Sequence, residues 1–235
     1  MPFCWKFLPT RALALKSWPN RMKLVKRSQE PTSPPPPDLK PDKTCALVLI
    51  HLQNDFFPGG ALAVEGSDQI LPQINRYIAL FQHQGATVMA TRDWHPPNYC
   101  SFQEHGGPWP SHCVQGSRGA QFHADLHLPN GSLIISVATN PQKESYSGFD
   151  GTSLADYLED RDATTVYIVG LATEHWIKQS VLDGLKLGLR MVVLEDAICG
   201  VNLKPHDSED ALQEMTAAGA RRATAKDLSM QLPSV

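Results

Sequence analysis

Thr165-Val166-Tyr167-Ile168-Val169 runs directly into Gly170-Leu171-Ala172-Thr173-Glu174-His175-Trp176-Ile177-Lys178. The first five residues form a continuous apolar run, the signature of a strand buried on both faces of a parallel sheet. The next nine open a helix that reads from about Glu174 to Leu187 and stops at Gly188. A strand feeding straight into a helix is half of a βαβ unit, and the same alternation appears on both sides of it. Upstream, Cys45–Ile50 is a second apolar run. Ser67-Asp68 can cap a helix that carries Ile70, Ile74, Tyr77, Ile78 and Phe81 on one face. Strands follow at Thr87–Ala90 and Leu133–Val137, and a short helix at Ser153–Leu158. Downstream come a strand at Arg190–Leu194, a helix at Ser208–Ala218 and a short edge strand at Arg222–Ala225. This order predicts an α/β fold, a doubly wound, mainly parallel sheet with helices on both faces. In such folds the working site lies beyond the carboxyl ends of the strands.

The chain's 235 residues are 42% hydrophobic and 19% charged, enough for one sizeable core. No apolar run approaches the roughly 18–20 residues that span a bilayer, so no membrane partner is expected. Residues 1–29 hold seven basic side chains and no acid, so the rest carries about −10 against −3 for the whole chain. An acidic body argues against nucleic acid as a partner. The basic segment passes into Pro31-Thr32-Ser33-Pro34-Pro35-Pro36-Pro37, which forms neither helix nor central strand. Residues 1–42 therefore read as a disordered tail and 43–235 as the folded domain. The tail is either an organellar transit peptide or a non-native extension, with Met22 as an internal start. Five sparse cysteines fit a reducing compartment. The expected localisation is cytoplasmic, or organellar if residues 1–29 are a transit signal.

The long loop at 92–130 is rich in His, Trp, Pro and Gly, and loops of this length are usually functional. Asp93 and His95 are two apart in extended chain, so both side chains point to one side. His112 can close over them. One carboxylate and two imidazoles suit Zn²⁺, Fe²⁺ or Mn²⁺; the alternative is a pair of loop histidines in ordinary hydrogen bonds. Cys113 has no helix N-terminus to stabilise a thiolate and reads as an inert, packed thiol.

Five motifs occur in order along residues 44–230. They are Leu52-Gln53-Asn54-Asp55-Phe56-Phe57-Pro58-Gly59-Gly60-Ala61-Leu62, Thr91-Arg92-Asp93-Trp94-His95-Pro96, Gly107-Pro108-Trp109-Pro110-Ser111-His112-Cys113-Val114-Gln115, Tyr146-Ser147-Gly148-Phe149, and Gly170-Leu171-Ala172-Thr173-Glu174. Together they resemble the nicotinamidase/pyrazinamidase branch of the isochorismatase-like cysteine hydrolases. The resemblance implies an activity that cuts nicotinamide to nicotinate and ammonia through a cysteine thiolate, an aspartate and a lysine. It implies a divalent metal, zinc first, on Asp93, His95 and His112. It also implies aromatic walls from Phe56, Trp109 and Tyr146 and an oxyanion hole from the Ala172 and Trp176 amides, with Leu171–Ala172 a cis peptide.

The same alignment sets His51, Val137 and Trp176 where the family has its aspartate, lysine and cysteine. An indole cannot attack a carbonyl, and valine cannot stabilise an anion. Only the His51 imidazole retains useful proton chemistry. Loss of one member of such a unit costs on the order of 10⁴–10⁶ in kcat. The expectation is an inactive nicotinamidase-like scaffold whose small pyridine-carboxamide pocket is obstructed by Trp176. A homo-oligomer is possible on this reading. The alternative is a residual amide hydrolase using a metal-activated water, with His51 shuttling protons.

Overall fold

The computed structural model describes residues 39–228. The basic and proline-rich segments assigned to the tail lie outside the described residues, apart from its last four positions. Leu39 is already buried, and the Tyr167 hydroxyl donates to its carbonyl at 2.8 Å.

Six parallel strands form one sheet in the order β3-β2-β1-β4-β5-β6. They are β1 Cys45–Ile50, β2 Thr87–Asp93, β3 Leu133–Val137, β4 Thr165–Leu171, β5 Arg190–Cys199 and β6 Arg221–Ala223. Every residue of β1 and β4 is buried, as their unbroken apolar runs require. The helices are α1 Leu71–His83, α2 Leu154–Glu159, α3 Lys178–Lys186 and α4 Asp207–Ala217. The chain winds one way from β1 to β3, then returns beside β1 and winds the other way through β6. Right-handed crossovers therefore set helices on opposite faces. The doubly wound sheet expected from the sequence is present.

Several boundaries differ from the sequence reading, among them the ends of β4 and β5, which run on to Leu171 and to Cys199, past the expected Val169 and Leu194. Ser67-Asp68 do not cap α1. Ser67–Ile70 form a separate tight 3₁₀ turn, with the Ser67 side chain fully buried, and α1 begins at Leu71 with Pro72 in its first turn. Proline fits there because the first N–H groups of a helix have no partner inside it. β2 extends to Asp93, so the long loop starts one residue beyond the carboxylate. The helix expected from Glu174 begins instead as a wide π-turn, Thr173–Ile177, with α3 starting at Lys178. Its stop is as predicted: Gly188 adopts φ +82°, the left-handed conformation that ends many helices.

The reversal of winding between β1 and β4 creates a crevice at the carboxyl ends of the strands. His51 follows β1, Asp93 ends β2, Val137 ends β3, and Ala172–Trp176 follow β4.

Candidate metal centre

Asp93 sits at the bottom of this crevice, fully buried. Its main chain is held by Gln53, whose amide accepts from the Asp93 N–H and donates to its carbonyl, both at 2.7 Å. Gln53 also donates to the Ala120 carbonyl at 3.0 Å, tying β2 to the long loop. Two residues on, the His95 main chain bridges to the loop through Cys113 and Gln115. That pairing brings His112 over the crevice. One ligand atom each from Asp93, His95 and His112 lies within 4.8 Å of the others, and all three residues are buried.

The hydrogen-bond pattern aims these groups at one another. His95 Nδ1 lies 3.3 Å from the Ala138 carbonyl and His112 Nδ1 lies 2.8 Å from the Pro110 carbonyl. A carbonyl only accepts, so each Nδ1 carries the proton and each Nε2 is left with a free lone pair. His95 Nε2 and both Asp93 carboxylate oxygens are buried without a hydrogen-bond partner. Such orphaned atoms cost about 1–3 kcal/mol each unless something binds them. Burial pushes the Asp93 carboxyl up, but the three imidazoles around it, His51, His95 and His112, outweigh burial and hold the group below its ordinary value. Burial pushes His112 down, favouring the neutral imidazole that a metal needs. The donor set fits a small divalent cation.

His51, Val137 and Trp176 converge on the same crevice. His51 is buried with φ +50°. Burial pushes its imidazole down to about 4, so it is neutral at physiological pH. Val137 pairs in register with Asp93 across β2 and β3. The Trp176 indole stands in the middle, its ring 5.2 Å from His51, 5.4 Å from Phe56 and 6.2 Å from Tyr146. Trp109 donates to the Tyr146 hydroxyl at 3.4 Å, closing the outer wall. Phe56 meets His112 edge-on at 5.7 Å, so its ring spans the indole and the metal ligands. The cavity enclosed by His95, Trp109, His112, Tyr146 and Trp176 has a volume of only about 10 Å³. That is room for one water at most.

Ala172 caps the π-turn that carries Trp176, and the Leu171–Ala172 peptide is cis. Cys113 is fully buried, its N–H donates to the Asp55 carboxylate at 2.7 Å, and burial pushes its thiol well above the ordinary range. It is packed in the interior, with no helix N-terminus to favour a thiolate. Three site residues escaped the sequence reading. Gln53 was visible only as part of a motif, among polar neighbours that hide its buried hydrogen-bonding task. Tyr99 stacks on His95 at 4.2 Å, and His175 faces both Trp109 and Trp176. Tyr99 sits in a loop without periodicity, and His175 lies in the π-turn that the sequence reads as an ordinary helix start.

The sequence profile of the isochorismatase domain matches residues 45–227. The chain belongs to the isochorismatase family. Within this family it is 41% identical over 203 residues to the nicotinamidase of Escherichia coli, covering 77% of this chain and 95% of that protein. It is 26% identical over 201 residues to an Arabidopsis thaliana protein described as a probable inactive nicotinamidase, covering 81% of this chain and 97% of that one. Among solved structures, the pyrazinamidase of Pyrococcus horikoshii in complex with zinc aligns with a TM-score of 0.74 and 48% identity, covering 77% of this chain and 99% of that one. An L. infantum protein in complex with nicotinate aligns with a TM-score of 0.74 and 35% identity, covering 80% of this chain and 96% of that one. This isochorismatase-family chain thus has a nicotinamidase-type scaffold with a possible metal site at Asp93, His95 and His112.

Proposed function

We propose that this chain is a metal-holding, catalytically silent member of the nicotinamidase branch. His51, Val137 and Trp176 stand, on this reading, at the positions of the family's aspartate, lysine and cysteine. The observation that carries the reading is the Trp176 indole, buried among His51, Phe56 and Tyr146 and leaving about 10 Å³ beside the metal ligands. A pyridine-carboxamide needs a pocket many times larger; ligand cavities typically measure about 300–1,000 Å³. The ring site is filled by the protein's own ring.

What remains at the site cannot perform covalent amide cleavage. The covalent route needs a thiolate at the helix start, a base to take its proton and a cation to hold the developing charge. Trp176 offers a neutral carbon ring, and Val137 offers methyl groups. His51 can move a proton but has no nucleophile to activate. Asp93, His95 and His112 would hold a divalent ion, zinc by its preference for nitrogen and oxygen donors in four-coordinate sites. Such an ion would supply Lewis acidity and, with an open position, a water of lowered pKa. The zinc complex of the P. horikoshii relative supports the metal, and the Arabidopsis relative's description supports a silent branch of the family.

Calorimetric titration of the zinc-loaded protein with nicotinamide and nicotinate tests the reading. No heat of binding is expected up to millimolar ligand. Binding with a Kd in the micromolar range would refute the filled pocket.

A further inference from the structure

His51 differs from the other imidazoles of the crevice: both of its ring nitrogens are buried and neither has a hydrogen-bond partner. His95 and His112 each spend one nitrogen on a carbonyl, leaving the other for a ligand. Leaving both His51 nitrogens idle in a buried site costs about 1–3 kcal/mol apiece. A neutral imidazole so placed has a buried lone pair free to bind an ion.

The spacing around Asp93 indicates which ion. His51 Nδ1 stands 3.6 Å from Asp93 Oδ2, and His95 Nε2 stands 3.5 Å from the same oxygen. Both distances exceed the roughly 2.7–3.2 Å of a hydrogen bond to oxygen. Donors bound at about 2.0–2.1 Å to one tetrahedral ion lie about 3.4 Å from each other. Two imidazoles thus flank one carboxylate oxygen near the separation that a shared ion imposes, His51 standing beside the group formed by Asp93, His95 and His112. The His51 ring is held in this attitude, stacked at 14° on Phe56 and edge-on at 63° to Trp176. The backbone contributes too: β1 and β2 are paired up to Ile50 and Thr91, so His51 and Asp93 emerge from neighbouring strand ends.

We propose that His51 is a fourth protein ligand, joining Asp93, His95 and His112 in a closed site of three imidazoles and one carboxylate. This inference rests on the metal reading above and extends it. Structural zinc sites fill all four positions with protein atoms, whereas catalytic ones keep a position for water or substrate. With His51 in the coordination shell, the ion holds the carboxyl ends of β1 and β2 and the long loop together. No position is left for a ring nitrogen or an activated water.

X-ray absorption spectroscopy on the full-length protein loaded with one equivalent of zinc counts the imidazoles directly. Three imidazoles and one oxygen at about 2.0–2.2 Å are expected. Two imidazoles would overturn the His51 assignment while leaving the metal reading intact. Failure of the wild-type protein to retain stoichiometric zinc would overturn both. Zinc competition titration of His51→Ala provides a second measurement. Loss of a direct ligand is expected to weaken affinity by more than about 100-fold, beyond the 10–100-fold of an outer-shell partner. Added imidazole, filling the vacated place, should restore it. A smaller loss without imidazole rescue would contradict direct ligation.

Discussion

At Asp93 the crevice depends on one glutamine. Gln53 satisfies both main-chain groups of Asp93 and reaches the Ala120 carbonyl. Gln53→Ala strands the buried Asp93 N–H and carbonyl at once. We expect it to lower stability by about 2–4 kcal/mol, measured by urea unfolding, and to weaken zinc binding with it. His95→Ala removes a ligand with little backbone change. Elemental analysis after zinc loading and dialysis should give about one equivalent for wild type and far less for the variant; equal contents would remove the site. Trp176 is tested differently. Its indole fills the crevice, so Trp176→Ala should destabilise the fold by about 3–5 kcal/mol, the usual range for a buried tryptophan. A neutral effect would mean that the ring is not packed as described. At this scale the sequence was informative where motifs spoke. Asp93 and His95 were legible because a two-residue spacing in extended chain has one geometric outcome. Tyr99 was not, because its proximity to the site arises from loop folding, which has no period, and His175 was not, because the π-turn rather than a regular helix start sets its direction.

Strand starts were read more accurately than the starts of α1 and α3, whereas β2, β4 and β5 all run past their expected ends. An apolar run such as Cys45–Ile50 has one stable home, the interior of the sheet, and both its ends were found. Helix starts depend on local hydrogen bonds that several residues can make. Ser67 looked like a cap but is buried inside a 3₁₀ turn, with the true start displaced to the proline turn at Leu71. The π-turn at Thr173–Ile177 has no sequence signature distinct from an ordinary helix start. It is the element that carries Trp176 into the crevice. The turn is entered through Gly170, whose φ is +119° and whose missing Cβ would collide with the backbone of Ile50 in β1. Gly170→Ala should separate the ends of β1 and β4, where His51 and Ala172 emerge. Its cost should exceed the roughly 1 kcal/mol of an average substitution, and its zinc affinity should fall together with its unfolding midpoint. A variant as stable as wild type would show that the close approach is not structural.

For the whole molecule, the doubly wound topology followed from the alternation of strands and helices alone. The location of the site followed from the topology, since winding reverses between β1 and β4. What periodicity could not supply was the state of the site. The indole in the crevice, the two idle nitrogens of His51 and the 10 Å³ cavity are products of packing among four strand ends and one loop. A ligand that binds only the folded chain stabilises it, by about 2.7 kcal/mol at one hundred times its Kd. Zinc should therefore raise the thermal midpoint of the wild-type protein and leave that of His95→Ala unchanged. A fold related to nicotinamidases does not establish turnover, because the scaffold and the reacting groups are separable. The most direct test is ammonia release from nicotinamide, measured on the zinc-loaded protein beside the triple variant His51→Asp, Val137→Lys, Trp176→Cys. No release above background is expected from the unaltered chain, and measurable turnover from the variant. Ammonia release by the unaltered chain at an ordinary enzymatic rate, about 1 s⁻¹ or faster, would contradict the silent reading.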